Sequence, residues 1–145
     1  MDNKSLDLIG LTGCLYRCAQ TYFDRELKKF DLSMATYPYL LSLSKNEGIN
    51  QNEISRILYV DKSMSAKAIK KLIALGYVNK KEDKEDARAY KLYLTDKAKD
   101  IIPKILKVRD KWINILSQGS DNEKIETSID FLRKALGNGK DKLSH

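Results

Sequence analysis

The chain of 145 residues holds one histidine, two cysteines, two prolines and one tryptophan, and no apolar run in it approaches the ~18 residues that a membrane span needs. The histidine is His145, the last residue, which argues against imidazole general-base or metal chemistry. There is no Cys-x-x-Cys pair, no glycine-rich phosphate loop and no nucleophile elbow, so neither an enzyme nor a bound cofactor or metal is expected. Cys14 and Cys18 are too few and too close for a disulfide framework, and Met1-Asp2-Asn3-Lys4 lacks the start of a secretory signal. Both point to a protein of the cytoplasm with no membrane partner. With 42% hydrophobic residues the chain can build a real core, so disorder is not expected either.

Acidic residues are also absent from one stretch. Between Lys62 and Lys81 there are six lysines and no aspartate or glutamate, although acids are interspersed with bases almost everywhere else. The whole chain carries 27 Lys and Arg against 20 Asp and Glu, a formal charge of +7, which favours a polyanionic partner. Read as a helix with Leu72 in the core, the stretch turns Ser65, Ala68, Ile69 and Leu75 inward, within about 60° of Leu72. Ser63, Lys67, Lys70 and Ala74 then face the other way. Hydroxyl and ammonium groups on a slender helix suit the DNA major groove, where phosphates take cations and base edges take compact hydrogen-bonding side chains. The plainer alternative is a lysine face that only solvates the protein.

The flanking elements give that helix a setting. Leu8, Leu11, Leu15, Cys18, Ala19, Tyr22 and Leu27 form the stripe of a long first helix over about 6–30. A second helix runs to about Asn46, capped by Ser33 or by Thr36 with Pro38 in its first turn, and Gly48 closes it. Asn50 to Glu53 reads as a capping box for a third helix, and Asp61 caps the lysine-rich fourth. Two short helices separated by a few residues make a helix-turn-helix. Gly76 ends the fourth helix, Tyr77–Glu82 and Tyr90–Leu94 read as strands, and a polar segment from Asp83 to Ala89 joins them. A hairpin appended to a helix-turn-helix is a winged helix. Its tip can carry a cation into a minor groove, and Arg88 is the tip's arginine, with Asp86 placed to orient the guanidinium or simply to form a surface ion pair with it.

From Leu32 to about Ala98 the order of these signals resembles the MarR family of bacterial transcription regulators. The resemblance is carried by Leu32-Ser33, by Gly48 to Ile54, by Asp61-Lys62-Ser63-Met64-Ser65, by Lys71 to Val78, by Asp83 to Ala89 and by Leu92 to Thr95. With Lys62, Met64, Lys70 and Lys71 of the lysine-rich helix as further candidate contacts, the resemblance implies a dimeric winged-helix repressor or activator that binds double-stranded DNA through Ser63 and Lys67 of the recognition helix and through Asp86 and Arg88 of the wing. It also places Ser65 among base or phosphate contacts, against the helical wheel, which turns Ser65 inward. Ala87 stands where the family commonly has arginine, and Lys67 where it often has arginine. Lysine does not fork onto a guanine, so base reading at that position is weaker or moved elsewhere.

The remaining segments read as association helices. A helix from Thr95 to about Ser117, interrupted at Pro103, and a last one starting at Ser120 or Asp121 carry more apolar surface than one flank of a small domain can bury. The fold expected is mainly α with a small β-hairpin wing: residues 1–32 and 99–145 supply dimerisation helices around a winged helix-turn-helix at 33–98. A two-fold homodimer is expected, the alternative being a larger monomeric helical core. Tyr16, Tyr37 and Trp112 are candidate lining for a small aromatic or anionic effector, the alternative being ordinary core aromatics. The function expected is a ligand-responsive repressor. Two competitors are a winged-helix module that binds protein instead of DNA, and a thiol redox sensor using Cys14 or Cys18.

Overall fold

The computed structural model describes residues 3–86 and 89–144. Two units can be separated along the chain, one comprising residues 1–109 and the other 110–145. The first unit begins with α1 (Asn3–Glu26) and then a single 3-10 turn over Lys28–Phe30. The expected helix to Phe30 stops as an α-helix at Glu26 and tightens into the 3-10 turn, which Asp31 ends in a left-handed conformation at φ 60°. Then come α2 (Tyr37–Lys45), α3 (Gln51–Leu58), α4 (Lys62–Ala74), β1 (Val78–Glu82), β2 (Tyr90–Leu94) and α5 (Asp96–Leu116). The second unit takes the end of α5 and α6 (Asn122–Leu143).

Caps explain most of these boundaries. Of the two candidates before α2, Thr36 is the cap residue and Pro38 lies in the first turn, where its missing N–H costs nothing. The Thr36 hydroxyl accepts from Ser33 N–H at 2.9 Å and the Ser33 hydroxyl accepts from Ala35 N–H, so both side chains serve the turn and neither bonds a helix amide. At α3 the capping box is complete: Glu53 N–H donates to Asn50 Oδ1 at 2.9 Å and Asn50 N–H donates to Glu53 Oε2 at 3.2 Å. Asp121, not Ser120, caps α6 by accepting from Lys124 N–H at 2.8 Å.

Two expectations fail here. Gly48 does not close α2, which ends at Lys45; it sits in the following turn at φ +87°, donating its N–H to Leu92 O at 2.8 Å while Leu92 N–H donates to Ile49 O. Two backbone hydrogen bonds thus tie the turn before α3 to Leu92 of β2, beside a sheet of two strands. Nor does Pro103 interrupt α5, which is helical from Asp96 to Leu116. A proline removes one i to i−4 bond, a small part of the ladder of a 21-residue helix.

The core of the first unit gathers Leu27, Leu40, Leu43, Ile54, Ile69, Leu72, Val78, Leu92 and Ile105, each at most 3% exposed. Antiparallel pairing of Val78 with Leu94 and Lys80 with Leu92 puts the inward side of the hairpin against this core, and Asn79, Lys81, Lys91 and Tyr93 on the outward side. Gly76, at φ +80°, ends α4: its N–H donates to Ile73 O and Tyr77 N–H donates to Leu72 O, the paired bonds of a left-handed helix stop. The start of α5 fastens this corner, since the Thr95 hydroxyl donates to Gly76 O at 2.6 Å and Lys97 Nζ to Leu75 O at 2.7 Å.

Much apolar surface stays uncovered within each unit. Leu8, Leu11 and Leu15 of α1 are exposed, and so are Ile113, Leu116, Ile129, Leu132 and Leu136 of the second unit. Among the described residues no helix is long and apolar enough to cross a membrane. Replacing Gly76 with Ala should lower stability by about 1–2 kcal/mol, since the left-handed backbone is strained for alanine while the nearest side-chain atom, on Lys97, is 3.9 Å away and leaves room. Urea unfolding checks this; an unchanged midpoint would mean that the corner relaxes to another conformation.

Candidate nucleic-acid interface

The candidate surface is built on α4, and its orientation is set from inside. Ser65, Ala68, Ile69 and Leu72 form the buried side of the helix. Ser65 is fully buried: Ser55 Oγ of α3 donates to Ser65 Oγ at 2.7 Å, and the hydroxyl of Tyr39 on α2 lies 3.2 Å from the same oxygen. A buried hydroxyl with two partners holds rotation of the helix as well as its depth, because losing one partner costs about 1–3 kcal/mol. The contact with DNA that the family resemblance implied for Ser65 is therefore excluded by its burial, in agreement with the helical wheel. Leu75, also turned inward by the wheel, is half-buried at the helix end.

With that side fixed, Lys62, Ser63, Met64, Lys67, Lys70 and Lys71 are all exposed. Among the described residues none of these four lysines lies within salt-bridge distance of a carboxylate. Asp61 is the acid of the neighbourhood, and it is occupied as the cap: Met64 N–H and the Ser63 hydroxyl both donate to its Oδ1 at 2.7 Å. The Met64 amide first, and then the Ser63 hydroxyl, hold the Asp61 carboxyl below its ordinary range against a small desolvation effect, with Lys67 adding electrostatic support. Ser63 has consequently committed its proton. Its lone pairs remain for an outside donor, such as the amino group of adenine or cytosine, while Met64 offers an apolar tip suited to a thymine methyl.

The wing is partly visible. Asp86 is exposed and its carbonyl accepts from Ala89 N–H, closing the loop together with the Asp83 N–H bond to Ala89 O at 3.1 Å. Arg88 lies outside the described residues, so its expected pairing with Asp86 is not part of the description. Sequence reasoning passed over a different feature: an open cleft of about 400 Å³ between the hairpin and the beginnings of α3 and α4's inner face, whose walls include Gln51, Asn52, Lys80 and Tyr90. The sequence puts Lys80 in the lysine run and in the first strand of the hairpin without showing which side of the hairpin it takes. The register with Leu92 is the signal that could have placed it on the inward side of the hairpin.

The aromatic candidates divide between the units. Tyr37 is half-buried and stacks on Phe23 with ring centroids 4.6 Å apart. Burial pushes its phenol pKa up, the Arg109 guanidinium opposes that shift and Tyr16 adds to it, so these three groups share one electrostatic neighbourhood. Tyr16 itself is exposed. Trp112 belongs to the second unit and is half-buried there. Cys14 and Cys18 are both free and exposed, and Arg17 Nη2 donates to Cys14 Sγ at 3.4 Å. Among the described residues no group of three His, Cys, Asp or Glu side chains is arranged to hold a metal.

Known proteins share this architecture. The MarR family model matches residues 30–89. The chain is similar to the HTH-type transcriptional regulator BilQ of Clostridioides difficile, with 32% identity over 127 residues, covering 85% of this chain and 86% of that protein. Among solved structures, a MarR protein from Peptoclostridium difficile superposes with a TM-score of 0.91 at 32% identity, over 94% of this chain and 89% of that one. A putative MarR family regulator from Listeria monocytogenes, crystallised with a 26mer DNA, superposes with a TM-score of 0.88 at 25% identity, over 92% of this chain and 89% of that one.

The Asp61 cap generates a pH prediction. Its folded pKa lies below the unfolded value, so its contribution is present above the ordinary carboxylate range and is lost as the pH falls through the depressed folded value. Asp61→Asn keeps a capping oxygen that does not titrate. Between neutral pH and about pH 2 the variant should therefore lose less stability than the parent, measured by urea midpoints. Superimposable acid profiles would remove Asp61 from the account.

Proposed function

This chain belongs to the MarR family of transcriptional regulators, and from that premise we propose that it is a cytoplasmic homodimer that binds double-stranded DNA and represses transcription from a pseudo-palindromic operator under the control of a small aromatic or anionic effector. The observation that carries this reading is the two-sidedness of α4. One side is locked into the core through Ser65, Ile69 and Leu72, and the other presents Lys62, Ser63, Met64, Lys67, Lys70 and Lys71 with no competing acid in the helix. Lysines supply phosphate contacts, and Ser63 and Met64 supply the short side chains that reach base edges. Arg88, with Asp86 to direct it, belongs to the neighbouring minor groove.

Dimerisation is supported by the exposed stripe of Leu8, Leu11 and Leu15 on α1 and by that of Ile129, Leu132 and Leu136 on α6, each of which needs a covering surface. Two-fold pairing gives two recognition helices, and a separation near one helical turn of DNA, about 34–36 Å, makes the operator an inverted repeat. For the effector, Tyr37 offers an aromatic wall near Arg109, a combination that accepts a small aromatic anion. An effector changes DNA affinity only by as much as it distinguishes the two conformations.

Selection from a random-sequence duplex pool tests the reading. An inverted repeat should emerge, with an affinity that falls steeply with salt. Lys67→Ala should reduce the magnitude of the salt slope by about 1, and Arg88→Ala should weaken operator binding without changing the dimer seen by sedimentation. No enrichment at low salt, or a monomer at all concentrations, would overturn it. Salt-insensitive capture of a protein in place of duplex would favour an interaction module.

A further inference from the structure

The cleft beside the hairpin has a role that rests on the DNA-binding reading and extends it. A helix in a major groove and a hairpin tip in the adjacent minor groove are separated by one sugar-phosphate strand, because a single backbone forms the wall between the two grooves. That strand must cross the protein between α4 and the hairpin. The surface between them is the cleft of about 400 Å³, floored by Ile69 and Leu92 and walled by Gln51 and Asn52 at the start of α3 and by Lys80 and Tyr90 of the hairpin. Among the described residues Lys80 is the one lysine in its walls, and its Nζ sits 3.9 Å from the centroid of the Tyr90 ring. An exposed ring under an ammonium group restricts a side chain that would otherwise be loose, and leaves the remaining N–H donors directed away from the ring.

We propose that this cleft seats the sugar-phosphate strand between the two grooves, with Lys80 as a phosphate contact, Tyr90 as the platform that holds it, and the amide side chains of Gln51 and Asn52 as further phosphate donors. Asp86, of the segment that joins the strands, also borders the cleft. The contact is to backbone and reads no base. It fixes the reach of the hairpin relative to α4 and thereby the register in which both enter the grooves.

The test compares two lysines of one hairpin. Lys80 pairs with Leu92 on the inward side, and Lys91 pairs with Lys81 on the outward side, so Lys80→Gln and Lys91→Gln remove the same charge from opposite faces while keeping an unbranched stem. Binding to a mixed-sequence duplex longer than two helical turns is measured across a salt series, with urea midpoints for each variant. Lys80→Gln should flatten the slope by about 1 and weaken binding on the order of five- to tenfold at about 0.1 M salt, against little change for Lys91→Gln. Tyr90→Leu should show part of the Lys80 effect, with the hairpin intact by its unfolding midpoint. Equal effects for Lys80→Gln and Lys91→Gln would mean that only net charge matters and would overturn the cleft as a seat. Parent protein that fails to bind the duplex would instead sink the DNA-binding reading itself, so the two failures are separable.

Discussion

The buried hydroxyl of Ser65 is the constraint on which the candidate interface depends. Apolar packing of Ala68, Ile69 and Leu72 holds α4 against the core, but such packing is non-directional and tolerates some rotation about the helix axis. Hydrogen bonds from α3 and α2 to one oxygen at the first turn are directional, and they tie three helices at the end of α4 that carries Ser63 and Met64. A rotation of α4 by one residue would move Lys67 towards the core and break both bonds together. Polar specificity at that point converts an amphipathic helix into one with a defined outward face.

Charge alone describes the surface poorly. Two cations are committed to the fold by direct polar bonds: Lys97 donates to Leu75 O at 2.7 Å, and Lys99 pairs with Glu47 at 3.8 Å. Those of α4 have no such engagement with a carboxylate among the described residues. The formal +7 is therefore not a count of available phosphate contacts. What distinguishes the lysines of α4 is placement on a helix whose reverse side is pinned, not their number.

The sequence made the local structure of this region readable. The wheel centred on Leu72 placed Ser65, Ala68 and Ile69 inside and Ser63, Lys67 and Lys70 outside, because a short helix between a clear cap and a glycine stop has one register only. The capping box at Asn50 was readable for the same reason: the partners are three residues apart, so sequence distance and spatial distance agree. Where they diverge, reading failed. The partners of Ser65 lie 10 and 26 residues away, and the cleft around Lys80 joins α3 to a hairpin some thirty residues later. Pro103 misled because its rule describes a penalty, and the rest of α5 outweighs it. Gly48 has the residue type of a helix stop, whereas its left-handed backbone serves the pairing with Leu92.

The hydroxyl node also bears on how this sequence can drift. Tyr39, Ser55 and Ser65 occupy three different helices, yet each one's substitution alters what the other two require, since a lone survivor would be left in a dry interior with an unmet polar atom. Descendants of this chain should thus change the three positions in concert, exchanging the polar trio for an apolar one of similar volume or retaining all of it, while the lysines a few ångströms away on the outer face vary one at a time.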